Sequence, residues 1–119
     1  MENKRNAGNY YEDAAVAYLA AEGIEIIDRN VHMSKIGEID IIGMDRGAEY
    51  GDTLVFFEVK YRKNSRYGYA AEAITEKKKR TIRQCAGYYI AYRQIKCLIR
   101  FDVIAIDGEK ITWYKNAFQ

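Results

Sequence analysis

Along the chain the spacing of apolar residues changes from helical to alternating and back, and each change marks an element. Asn9 followed by Glu12 resembles a capping box, and Ala14, Ala15, Ala17, Tyr18 and Leu19 supply helix formers until Gly23 stops the helix. IEIIDRNV (Ile24 to Val31), EIDIIGM (Glu38 to Met44) and TLVFFEVK (Thr53 to Lys60) read as three strands. The acidic, glycine-containing DRGAEYGD between the last two reads as an exposed hairpin loop, and the polar YRKNSRYGYA (Tyr61 to Ala70) as a loop with freedom to move. Thr75 can cap a second long helix, on which Ile82, Cys85, Ala86, Tyr89 and Ile90 recur at helical spacing. CLIRFDVIAI (Cys97 to Ile106) predicts a fourth strand, and DGE turns it into a short last strand, KITWY. The order α-β-β-β-α-β-β implies an α/β fold with a mixed central sheet flanked by helices.

One strand breaks its own pattern. In FFEVKYRK, Glu58 and Lys60 project from the same side as Leu54 and Phe56, because strand side chains alternate. Burying an unpaired carboxylate costs several kcal/mol or forces its pKa to move. Either the two residues face solvent on an edge strand and neutralise each other weakly, or they serve chemistry. Asp40, between Ile39 and Ile41, poses the same choice; its plain explanation is a bond to neighbouring backbone or to Lys35. For Glu12 the plain explanation is the capping box itself.

Two carboxylates converging from paired strands would repel, and each would lose solvation. A hard cation relieves this, since Mg²⁺ takes one or two carboxylates plus waters and substrate phosphate. With Lys60 on the same face, the set suits metal-assisted phosphodiester cleavage: a polarised phosphate, a water of lowered pKa and a cation against developing charge.

Length and composition narrow the options. At 119 residues, 49% hydrophobic and 30% charged, the chain is expected to form one domain over residues 1–119. No apolar run approaches the roughly 18 residues of a membrane span, and MENKRNAGNYYED lacks the apolar core of a signal peptide, so the expected location is the cytoplasm. Cys85 and Cys97 have no metal-site spacing and read as reduced core residues. His32, the sole histidine, gives little support to triads or histidine-based zinc sites.

The net charge of +2 conceals a separation. From Lys60 to Arg83, nine basic residues face two acidic ones, a local net of +7, while the remainder carries ten basic and fifteen acidic, a net of −5. This points to a polyanion-binding surface beside an acidic region able to hold a cation. Its candidate contacts are Arg62, Lys63, Arg66 and Tyr67 after the third strand, with Tyr69 nearby, and Lys77, Lys78, Lys79 and Arg80 in the first turns of the second helix. There they oppose the helix dipole unless an anion arrives.

Together these residues resemble the YraN-like family of small bacterial predicted endonucleases: a first helix carrying Glu12, then G-E-I-D (Gly37 to Asp40), V-F-F-E-V-K (Val55 to Lys60), a basic helix and RFDVIAI (Arg100 to Ile106). The resemblance spans nearly the whole chain and implies a PD-(D/E)xK restriction-endonuclease-like core, similar to archaeal Holliday-junction resolvases. It makes Asp40 and Glu58 metal ligands, with Glu12 completing the acidic site, and Lys60 the catalytic lysine. Glu38 is given a supporting role, and Ile39 stands where the superfamily's name would put proline. A Mg²⁺- or Mn²⁺-dependent endonuclease follows as the expectation, with DNA favoured over RNA, branched DNA among its substrates, and a homodimer if two sites must act together. The alternatives are a non-catalytic nucleic-acid-binding module of the same fold, or a scaffold for which the +7 stretch has no explanation.

Overall fold

The structure, a computed structural model, describes residues 4–64 and 68–119, with residues 4–9 described by backbone alone. Arg66 and Tyr67 lie outside the described residues. The elements follow the expected order: α1 (Lys4–Ala21), β1 (Glu25–Met33), β2 (Gly37–Asp45), β3 (Thr53–Arg62), a 3-10 turn (Ala70–Ala73), α2 (Glu76–Arg93), β4 (Leu98–Asp107) and β5 (Lys110–Phe118).

The sheet runs β1-β2-β3-β4-β5, antiparallel throughout except for the parallel β3–β4 pair. Strand β3 is therefore central and covered on both faces, which explains why Thr53 to Glu58 are all buried. On one face Leu54, Phe56, Ile42 and Phe101 pack against Ile82, Cys85, Ala86 and Tyr89 of α2. On the other, Val55, Phe57, Ile41 and Ile104 pack against Ala15 and Leu19 of α1. Phe56 and Phe57, at 0% and 1% exposure, anchor the two layers, and burial stabilises each by about 2–3 kcal/mol.

Local chemistry sets the boundaries. Gly23 ends α1 at a φ of 93°, as expected, and its N–H donates to Ala20 O at 3.1 Å. Thr75 caps α2 by accepting the Lys78 N–H at 3.0 Å. Gly37 opens β2 at a φ of 153°, where an added Cβ would stand 2.5 Å from Thr81 Cγ2, so α2 lies hard against the start of the strand.

Four expectations are corrected. Helix α1 begins at Lys4, upstream of Asn9, so Asn9 and Glu12 do not form its capping box. Tyr61 and Arg62 belong to β3 rather than to a loop: the Arg62 carbonyl accepts the Gly108 N–H at 2.8 Å, and the Tyr61 ring stacks on Tyr11 at 3.6 Å. Strand β5 continues past Tyr114 to Phe118, whose ring stacks on Phe101 at 5.2 Å. Cys85 is a core residue as expected, whereas Cys97 is exposed.

Candidate active site

The β2–β3 ladder ends at Ile41 and Phe57, and its next step would set Asp40 against Glu58. Instead Asp40 Oδ2 accepts the main-chain N–H of Val59 at 2.9 Å, so a side chain joins the strands where backbone pairing stops. Both carboxylates lie on the α2 side of the sheet, Glu58 by its parity with Leu54 and Phe56 and Asp40 by its parity with Ile42. They are 4% and 8% exposed, which excludes the edge-strand explanation for Glu58 and leaves Asp40 with both a backbone bond and a buried partner.

Burial is the larger cause of their electrostatics. It pushes Glu58 up to about 8, reinforced by the Asp40 charge, while Lys78 and Lys60 pull it down. Asp40 is raised for the same reason, and the Val59 N–H and Lys78 oppose that rise. The two carboxyl groups act directly on each other: the Asp40 charge raises Glu58, and a hydrogen bond with Glu58 lowers Asp40. When Glu58 is ionised, its Oε2 is buried with no donor.

Glu12 approaches from α1. Desolvation first, and then the charges of Asp40 and Glu38, raise it to about 6, against the pull of Arg29 and Asn30. Its Oε1 is also buried without a donor. Glu38 is two residues before Asp40 and adds negative charge to both neighbours, while its own carboxylate lies 3.7 Å from His32 Nδ1. Among the described residues no three His, Cys, Asp or Glu side chains converge into a complete ligand set. The site is thus a close carboxylate pair with a third carboxylate near it. Orphaned, desolvated oxygens of this kind fit a hard divalent cation that keeps several waters.

The basic residues divide. Lys60 is half-buried on β3, near enough to Glu58 to favour its charged form. Lys78 sends its ammonium to 3.8 Å from Glu58 Oε1. Lys79 turns away, bonded to Glu76 at 3.0 Å and set over the Phe118 ring. The cations that oppose the α2 dipole are therefore partly neutralised within the fold. Lys77, Arg80, Arg62, Lys63 and Tyr69 are exposed.

The sequence reading gave no role to Asp102, the most deeply buried charge among the described residues at 0% exposure. It accepts from Arg100 Nε at 2.9 Å, Trp113 Nε1 at 2.9 Å and the Asn116 N–H at 2.8 Å, the last at a bulge where β5 slips register against β4. With every oxygen engaged, Asp102 holds β4 to β5 and has no capacity left for a ligand. An apolar groove of about 600 Å³ lies between β1 and α2, lined in part by Val31, Met33, Ile36, Tyr88 and Tyr92, and includes none of Glu12, Asp40, Glu58 or Lys60.

The sequence matches the profile of the uncharacterised protein family UPF0102 over residues 11–106, a span that contains the whole acidic site. It is 42% identical to the UPF0102 protein of Fusobacterium nucleatum over 117 residues, covering 96% of this chain and 92% of that one. The UPF0102 protein of Shewanella loihica is 40% identical over 111 residues, covering 93% and 92%, and that of Vibrio cholerae 39% over 120 residues, covering 97% and 93%. On this shared length and identity the chain belongs to the UPF0102 family, which is the YraN family.

Proposed function

We propose that this protein is a divalent-metal-dependent nuclease of the PD-(D/E)xK type acting on DNA. The observation that carries this reading is the juxtaposition of Asp40 and Glu58, two buried carboxylates in mutual reach, with one oxygen orphaned and two lysines facing them. A fold with no task for Glu58 would place an apolar residue there, because a lone buried carboxyl lowers stability.

Asp40, Glu58 and Glu12 would hold Mg²⁺ or Mn²⁺, which when bound supplies a Lewis acid to polarise phosphate and lower the pKa of water. Asp40 is held in place by the Val59 N–H, so its free oxygen is oriented without help from a ligand. Lys60 presents a cation on the same face, suited to the charge that develops on a scissile phosphate. Glu12, desolvated on α1 with one oxygen lacking a donor, would complete the carboxylate set from the helix. Exposed Arg62, Lys63, Lys77 and Arg80 offer phosphate contacts around this centre, and cutting both strands of a branch would engage a second copy.

The test is cleavage of end-labelled branched and linear DNAs, with an RNA duplex beside them, in Mg²⁺, Mn²⁺ and EDTA. Metal-dependent products that vanish with Asp40→Asn support the reading. DNA binding without cleavage under every metal condition would leave only a binding module of this fold.

A further inference from the structure

We propose that Lys78 is a positioning residue of this centre: its ammonium serves as counter-ion to the Asp40–Glu58 pair while the carboxylates hold no metal, and it turns to the substrate phosphate when a divalent ion replaces it. The proposal rests on the nuclease reading above and adds a residue acting on both ligands with opposite sign.

Of three consecutive lysines, Lys79 is bound to Glu76 and Phe118, Lys77 is exposed, and Lys78 meets the acid pair. Its Nζ stands 3.8 Å from Glu58 Oε1, a charge contact without the distance of a hydrogen bond. The Lys78 side chain is 35% exposed against 4% for Glu58, so the ammonium occupies the mouth between the buried carboxylate and solvent. The main chain of Lys78 is pinned through its N–H to Thr75 Oγ1 at 3.0 Å, which confines any movement to the four-carbon stem. Lys60 differs, because it rises from β3 two residues beyond Glu58 and stays on the strand's own face.

A divalent ion on Glu58 and Asp40 would meet the Lys78 charge at close range, in a pocket where screening is weak. Repulsion drives the flexible stem outward, toward the side from which a polyanion arrives. Lys78 therefore opposes metal binding and favours phosphate binding. A lysine that only packed would leave both affinities alone or move them together.

Titrating Mn²⁺ by calorimetry, and measuring anisotropy of a fluorescent duplex DNA in Ca²⁺, separates these effects on wild type, Lys78→Met and Lys78→Arg. Lys78→Met should bind Mn²⁺ tighter by roughly three- to tenfold and DNA weaker by a similar factor, with Lys78→Arg close to wild type on both. Lys78→Gln gives the same pair of shifts should the methionine variant fail to fold. Mn²⁺ affinity that stays unchanged or weakens on removing the charge, beside a wild type that binds metal, overturns this proposal alone. A wild type that binds no divalent ion overturns the nuclease reading together with it.

Discussion

The main-chain N–H of Val59 donates to Oδ2 of Asp40 at 2.9 Å, so one oxygen of this carboxylate ties β2 to β3 where their ladder stops. Asp40→Asn retains an acceptor for that N–H, whereas Asp40→Ala removes it. In EDTA above about pH 8, where Glu58 is ionised beside Asp40, Asp40→Asn and Glu58→Gln should melt at or above the wild-type temperature, because each removes a charge from a desolvated pair. Asp40→Ala should lose about 1–3 kcal/mol through the unsatisfied N–H. Wild type should gain stability from Mn²⁺, and the two amide variants should not. Thermal melts decide it: a Glu58→Gln protein destabilised in EDTA and still shifted by Mn²⁺ would show that Glu58 serves the fold.

The same pair makes stability depend on pH. Glu58 titrates near 8 in the folded chain and near the ordinary 4.5 when unfolded, so between those values the folded state holds the extra proton. Metal-free stability should therefore fall as pH rises from about 4.5 to 8, by at most about 1.4 kcal/mol per pH unit for one proton. Urea denaturation in EDTA across that window should show the slope in wild type and a flatter profile in Glu58→Gln.

Lys60 separates metal binding from turnover. An ammonium is no metal ligand, so Lys60→Ala should keep the Mn²⁺-induced rise in melting temperature while cleavage falls by about a hundredfold or more. Losing both together would mean that Lys60 is needed to build the site.

For the basic face, the clean variant is the exposed pair Lys77 and Arg80, since Lys78 and Lys79 contact Glu58 and Glu76. Changing both to Gln should leave melting unaltered and reduce the slope of log affinity against log salt by about 2. An unchanged slope would remove the first turn of α2 from the DNA interface.

Asp102 should behave in the opposite way to Asp40 and Glu58. Removing it leaves the Trp113 N–H and the Asn116 N–H without their acceptor and the Arg100 guanidinium with Asp45 as its remaining partner, so Asp102→Ala should cost about 3–5 kcal/mol. Mn²⁺ should not recover that loss in a melt.

The hairpin that joins the two carboxylates was legible because D-x(17)-E spans two strands and one loop, and because the parity of Leu54 and Phe56 carries over to Glu58. Glu12 entered the acidic set only through the family resemblance and was misread for its place, since KRNAGN holds no apolar stripe to signal that α1 starts at Lys4. The aim of Lys78 was hidden in a run of four cations that covers every direction around a helical turn. The end of β5 was missed because Lys115, Asn116 and Ala117 are exposed and give no alternation; Asn116 takes a positive φ of 53°, and Phe118 alone is buried. Asp102, between Phe101 and Val103, sits in its strand as Asp40 does in its own, but its partners come from a register slip between two strands that the sequence pattern does not reveal.

Chain distance gives the site an order of assembly. The seven residues 46–52 close β2 onto β3, whereas 35 residues separate Arg62 from Leu98 across the parallel β3–β4 pair. For flexible chains the longer closure costs about 1.4 kcal/mol more, so the hairpin forms more readily and earlier. Asp40 and Glu58 thus meet before α2 brings Lys78 over them, and until then water shields their repulsion. Asp40, Glu58 and Lys60 are a local product of one hairpin, whereas Glu12 and Lys78 join them only when the two helices pack onto the sheet.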